Sequence, residues 1–183
     1  IEGLTDRLED RLTDGALDVA ILATSPTRTN LTEIVLYDEP FWIAMPNDHP
    51  LTDQDVVDVT QIEPGELLLL SDGHCLRDQI YDACKLDRTL TRRNGGPRTQ
   101  QTSLATILAL VGAGEGITLV PAMSLASGWV TDSGIAVRSE ESGTAGRTVR
   151  LTLRKAYPRM ALVEKLADII AACLPNTVHP ARR

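Results

Sequence analysis

Short apolar runs of strand length alternate with amphipathic stretches of helix length along this chain, and that order predicts an α/β fold. Two regions carry the prediction. Residues 67–70 are four consecutive leucines, the composition of a buried strand; Ser71-Asp72-Gly73 then turn the chain, and Leu76, Ile80, Ala83 and Cys84 recur at helical spacing. Residues 147–154 alternate apolar and polar over a strand length, and Pro158 precedes a further amphipathic stretch. With 183 residues, 43% of them hydrophobic, the chain can bury a sizeable core as one domain or two small lobes.

The remaining elements follow in order. Leu4, Leu8 and Leu12 share a helical face, Gly15 ends that helix, and residues 17–23 read as a strand. Residues 24–30 form a polar loop. Residues 34–37 and 41–45 read as two strand segments, and Asn47-Asp48-His49-Pro50-Leu51 as a turn before a short acidic helix, with His49 in a structural role. Arg88, Arg92, Arg93 and Arg98 fall in a polar loop that is read as solvated rather than phosphate-binding. Thr102 or Ser103 is the expected N-cap of a helix through Val111 that buries Ile107, Leu108 and Val111. Gly112-Ala113-Gly114-Glu115-Gly116 follows that helix and precedes the strand 117–120. A dinucleotide fingerprint has the reverse order, so these glycines predict a helix stop and a tight turn, with no nucleotide cofactor. Residues 135–137 read as a strand. The helix at 161–174 is expected to bury Leu162, Leu166, Ile169, Ile170 and Cys173, which makes Cys173 a core thiol. The tail from Pro175 is expected to fray.

Composition narrows the function classes. A formal net charge of −7 opposes binding to nucleic acid through the bulk of this surface. Three cysteines do not suggest a secreted disulfide framework, nothing near Ile1 reads as a signal peptide, and no apolar run approaches the ~20 residues that span a bilayer. A reducing cytoplasm is the expected compartment, with no membrane partner.

The chemistry centres on two of the cysteines. Cys75 is placed at or near a helix N-terminus, where unpaired backbone N–H groups and the macrodipole favour a thiolate; His74 and Arg77 would add positive charge, making Cys75 a candidate nucleophile. Cys84 lies nine residues on. At about 1.5 Å rise per residue, one helix would hold the two Cα atoms roughly 13–14 Å apart, against the ~7 Å limit of a disulfide. Pairing them requires part of the helix to unwind, so oxidation would become conformational change. On spacing alone, two unrelated buried thiols are the favoured reading, since free cysteine is commonly a small core hydrophobe.

Asp72-Gly73-His74-Cys75-Leu76-Arg77-Asp78-Gln79, with eight residues between the cysteines, resembles the redox loop of the OxyR family, the peroxide-sensing members of the LysR-type transcriptional regulators. Gly15-Ala16-Leu17-Asp18-Val19-Ala20-Ile21, Asp38-Glu39-Pro40, His49-Pro50-Leu51, Thr102-Ser103-Leu104 and residues 112–121 resemble further segments of the LysR-type effector domain, in order. The resemblance implies a two-lobed, type II periplasmic-binding-protein-like α/β domain. Its first lobe would comprise residues 1–38 and 149–183 and its second 39–148, with the redox loop in the second. It also implies an N-terminal truncation, since a strand, a helix and another strand of the first lobe, and a winged helix-turn-helix before them, would precede Ile1.

By the same resemblance, Cys75 is the peroxidatic cysteine and Cys84 the resolving one. Thr5, His74, Arg77 and Arg147 are the residues expected to contact peroxide, although a salt bridge from Arg147 to an acidic neighbour is an open alternative. A second threonine of the family's pocket falls before Ile1. No cofactor and no metal is implied. The implied partners are hydrogen peroxide, further copies in a homodimer or homotetramer, DNA through the missing N-terminal domain only, and RNA polymerase in the full-length protein. The family is a regulator rather than an enzyme. Three other functions share parts of this pattern: a LysR-type domain binding a small organic ligand between its lobes, a thiol peroxidase, and an extracytoplasmic solute-binding protein.

Overall fold

The computed structural model describes residues 1–88, 100–101, 103–126 and 134–181. In chain order the elements are α1 (Thr5–Thr13), β1 (Val19–Leu22), β2 (Leu31–Pro46), β3 (Val56–Val57), β4 (Leu69–Leu70), α2 (Cys75–Ala83), β5 (Gln100–Gln101), α3 (Leu104–Gly112), β6 (Thr118–Pro121), β7 (Ile135–Glu140), β8 (Gly146–Arg154), α4 (Met160–Ala172) and β9 (His179–Pro180). The chain divides into two compact units, Ile1–Glu39 with Arg147–Arg183, and Pro40–Gly146. None of the helices among the described residues is long and apolar enough to cross a membrane.

In the first unit, β1 pairs antiparallel with β8 from Val19↔Leu153 to Leu22↔Arg150. Successive strand residues point to opposite faces, so Ala20 and Leu22 share one face and cluster with Leu12 of α1 and with Leu31. The opposite face carries Ile21 and its partner Leu151. Leu151 is fully buried, whereas Ile21 is 57% exposed, so the cover over this face stops at β8.

Two expectations are corrected in this unit. The helix α4 buries Val163 and Ala167, while Leu162, Leu166, Ile169 and Cys173 are exposed; Cys173 caps the helix and is not a core thiol. The largest apolar residues had marked the expected core side, but the residues the helix buries are the smaller Val163 and Ala167. The tail does not simply fray: Val178 is buried and β9 pairs with β2 at Tyr37↔Pro180 and Asp38↔His179, giving backbone donors that side-chain polarity does not reveal.

The strand β2 runs through both units as one element where two segments were expected. Pro40 withholds one N–H, but its fixed φ suits extended backbone, so the strand continues through it. In the second unit, Phe41 to Ala44 of β2 pair antiparallel with β6, and Trp42 to Pro46 pair with β7, which takes β3 as a parallel neighbour. The expected acidic helix is a 3-10 turn, Pro50–Asp53, with the His49 Nδ1 accepting from the Leu51 N–H at 3.2 Å.

All four leucines at 67–70 are buried in the core of this unit. Leu67 bridges Ile117, and Leu69 and Leu70 pair in parallel with Gln100 and Gln101. Gly116 makes the bridge possible, because a Cβ there would lie 2.3 Å from the Glu66 carbonyl oxygen. The helix α3 buries Ile107, Leu108 and Val111 as expected. Ser103 occupies its N-cap position without a side-chain cap bond; Thr102, like Arg92, Arg93 and Arg98, lies outside the described residues.

Candidate functional site

The second unit carries the candidate redox pair on a single helix. Gly73, at φ +93, allows the turn after the leucine strand, and the His74 N–H returns to the Ser71 carbonyl at 3.4 Å. His74 is the N-cap of α2 in extended conformation, and Cys75 is the first helical residue. Its thiol is half-buried. The imidazole of His74 makes no cap bond to the helix.

Arg77, expected to add charge beside the thiol and to contact peroxide, is engaged on two sides. Its guanidinium forms an ion pair with Asp72, and it sits 5.5 Å from the centroid of the Tyr81 ring. Arg88, at 5.6 Å, stands over the same ring and pairs with Asp78 and Asp82 at 3.1 and 3.3 Å. Two guanidiniums on one aromatic ring thus tie the turn before α2, the helix and the segment after it together; a cation–ring contact is worth about 0.5–1 kcal/mol at exposed sites and about 2 kcal/mol where desolvated.

Cys84 is the C-cap of the same helix. It is 6% exposed and belongs to the core with Leu76, Ile80 and Tyr81. Burial, and secondarily the Glu140 carboxylate, push its thiol up to about 12. At neutral pH, Cys84 is therefore a protonated thiol for as long as α2 stays folded. Glu140 is itself buried, which alone would raise its carboxyl. Hydrogen bonds outweigh that and hold it below the usual carboxylate range: the Ser142 N–H donates at 2.9 Å, the Ser142 hydroxyl at 2.7 Å and the Ala145 N–H at 3.3 Å.

Of the expected site residues, Cys75, Cys84, His74 and Arg77 are thus brought onto α2 and its flanking turns. Thr5 and Arg147 belong to the first unit. Thr5 opens α1. Arg147 makes the salt bridge that the sequence left as an alternative, its Nε donating to Glu39 Oε2 at 2.8 Å, with Glu39 buried. Glu140 was missed, because it lies 56 positions from Cys84 and no local pattern connects them. Asp72 and Tyr81 carried a weak signal, an acid before the helix and an aromatic residue on the turn after Arg77.

Residues 1–174 match the LysR substrate binding domain family. The chain belongs to this family. A probable hydrogen peroxide-inducible genes activator of Mycobacterium leprae is 34% identical over 179 residues, covering 98% of this chain and 56% of the relative. The reduced regulatory domain of OxyR from Pseudomonas aeruginosa superposes with a TM-score of 0.82 at 34% identity, over 94% of this chain and 81% of that one. A cysteine mutant of Corynebacterium glutamicum OxyR with hydrogen peroxide bound has the same TM-score and identity, over 94% of this chain and 53% of that one. The chain spans about half the length of the curated relatives it matches. As a member of the LysR family with OxyR regulatory domains among its neighbours, it has the α/β, type II periplasmic-binding-protein-like fold expected of it.

Proposed function

We propose that this chain is the regulatory domain of a hydrogen peroxide-sensing transcriptional regulator, switched by a Cys75–Cys84 disulfide. One observation carries the reading: the two thiols occupy opposite ends of one helix, Cys75 as its first residue and Cys84 as its C-cap. The Cys75 thiolate attacks the nearer peroxide oxygen, the O–O bond breaks, and the other oxygen leaves as hydroxide and takes a proton to become water. The Cys84 sulfur then attacks the resulting sulfenic acid, forming S–S and breaking S–O. The thiol proton leaves with the hydroxyl as a second water. Two electrons pass from the cysteines to one peroxide, and a cellular dithiol returns them.

A helix of this length keeps the cysteines about 13–14 Å apart along its axis. The second step therefore waits for α2 to unwind, and the chemistry becomes a change of shape. His74 and Arg77, beside Cys75 in the second unit, donate hydrogen bonds to peroxide or to the leaving oxygen in this reading. The domain is a sensor rather than a peroxidase, in keeping with the activator names of its curated relatives. It works in the cytoplasm as a homodimer or homotetramer, and DNA and RNA polymerase are engaged by the full-length protein. The two lobes of this reading are the two compact units, Ile1–Glu39 with Arg147–Arg183, and Pro40–Gly146.

A near-stoichiometric peroxide pulse followed by peptide mapping tests the reading. A Cys75–Cys84 disulfide is expected in the parent, and trapped sulfenic acid at Cys75 in Cys84→Ser. Survival of both thiols while Cys173 reacts would refute it.

A further inference from the structure

The helices α1, α2 and α3 end alike, with one residue of left-handed backbone just past the C-cap. In α1 that residue is Gly15, φ +76, and in α3 it is Gly114, φ +82. In α2 it is Lys85, φ +52, the one non-glycine residue of positive φ among the described residues. The closures of α2 and α3 match bond for bond. The Lys85 N–H reaches the Asp82 carbonyl at 3.2 Å and the Leu86 N–H reaches Tyr81 at 3.0 Å; the Gly114 N–H reaches Val111 at 3.0 Å and the Glu115 N–H reaches Leu110 at 3.0 Å. Both are the paired 5→2 and 6→1 bonds of a Schellman motif, which glycine ordinarily fills because a Cβ in this conformation crowds the following carbonyl. The strained version therefore sits one residue after Cys84, on the helix that must open. It is held in place by what surrounds it, since Cys84 is buried and Leu86 packs against the core.

We propose that Lys85 is a positioning residue for the redox pair, its strained left-handed backbone biasing the last turn of α2 toward release so that Cys84 can reach Cys75. This rests on the disulfide switch proposed above. In the reduced protein residue 85 is confined to the left-handed region, whereas a disulfide requires the turn to unwind. The strain is then relieved on oxidation and adds to its driving force. The lysine charge is a separate matter, felt by Asp58, and it is removed equally in every variant of the test.

The test places Lys85→Asn, Lys85→Gly, Lys85→Ala and Lys85→Val in a Cys173→Ser background, which removes the exposed third thiol. Each protein is equilibrated in dithiothreitol redox buffers. Two electrons and two protons exchange between the dithiothreitol pair and the protein pair, and the Cys75–Cys84 disulfide is read by alkylation and mass spectrometry. Asn and Gly accept a left-handed backbone and stabilise the dithiol form, so their potentials should lie above that of Ala, with Val lowest. Asn and Ala are the decisive pair, because the freedom of Gly in the released segment offsets part of its gain. From Asn to Val the equilibrium constant should change about three- to tenfold, roughly 15–30 mV at 29.6 mV per decade. Hydrogen exchange at the Leu86 amide should slow in the same order. Potentials that coincide, or that place Ala above Asn, overturn the role of Lys85 while leaving the switch intact. Failure of any Cys75–Cys84 disulfide to form in the parent removes the switch and this inference together.

Discussion

Ile80→Val tests whether α2 leaves the core when the disulfide forms. Ile80 is 1% exposed and packs among Leu76, Tyr81 and Cys84 in the core of the second unit. Removing one methylene there costs about 0.5–1.5 kcal/mol in the folded, reduced protein. If α2 must unwind for Cys84 to meet Cys75, Ile80 loses its packing in the oxidised form, and the penalty falls on the reduced form alone. The disulfide then becomes easier to form. At about 1.4 kcal/mol per 30 mV, the reduction potential should fall by roughly 10–30 mV. Ile117→Val is the matched control: Ile117 is fully buried in the same core but belongs to the bridge with Leu67 rather than to the helix that opens. Urea titrations of the reduced proteins should show a similar loss in both variants, while redox-buffer equilibria should move only for Ile80→Val. Equal potentials for the two, at equal loss of stability, would mean that Ile80 stays packed in the oxidised domain and that the unwinding argument is wrong.

Three further outcomes follow from the geometry. Burial, then Glu140, raise the Cys84 thiol to about 12 in the folded state, against an unfolded value near 8.5–9; the stability this confers is full below the unfolded value and is lost as pH rises toward 12. Between pH 8 and 10, urea unfolding of the reduced protein should lose about 1.4–1.9 kcal/mol more than Cys84→Ala, and an identical decline in both would contradict the assignment. Glu140→Gln removes the charge that accepts from Ser142 and Ala145 and should cost about 1.5–3 kcal/mol by denaturant titration; a neutral result would show that the loop holds itself. Gly116→Ala drives a Cβ to 2.3 Å from the Glu66 carbonyl and should cost more than about 1 kcal/mol, with reduced thermal stability as the readout.

The parts of this protein legible in its sequence are those set by near neighbours. Apolar spacing and the turn Ser71-Asp72-Gly73 are enough to start a helix at Cys75 and carry it to Cys84. Glycines at 15 and 114 mark helix ends because few other residues take that backbone. The stretch Asp72 to Gln79 sufficed to point to the family. Where local pattern misled, distant residues had decided the outcome. Leu162, Leu166 and Ile169 have the spacing of a core stripe, yet the helix turns Val163 and Ala167 inward, a choice set by the segments it meets and not by its own apolar pattern.

The sequence by itself therefore determined the order of the elements and the placing of two thiols at the two ends of one helix, since helical periodicity is a property of consecutive residues. Only the tertiary structure decided that Cys84 is sealed in a core, that a carboxylate 56 residues away faces it electrostatically, and that the cap of its helix is built on a lysine. Burial and long-range charge depend on which segments meet in space, and backbone strain persists only where the surrounding packing holds it.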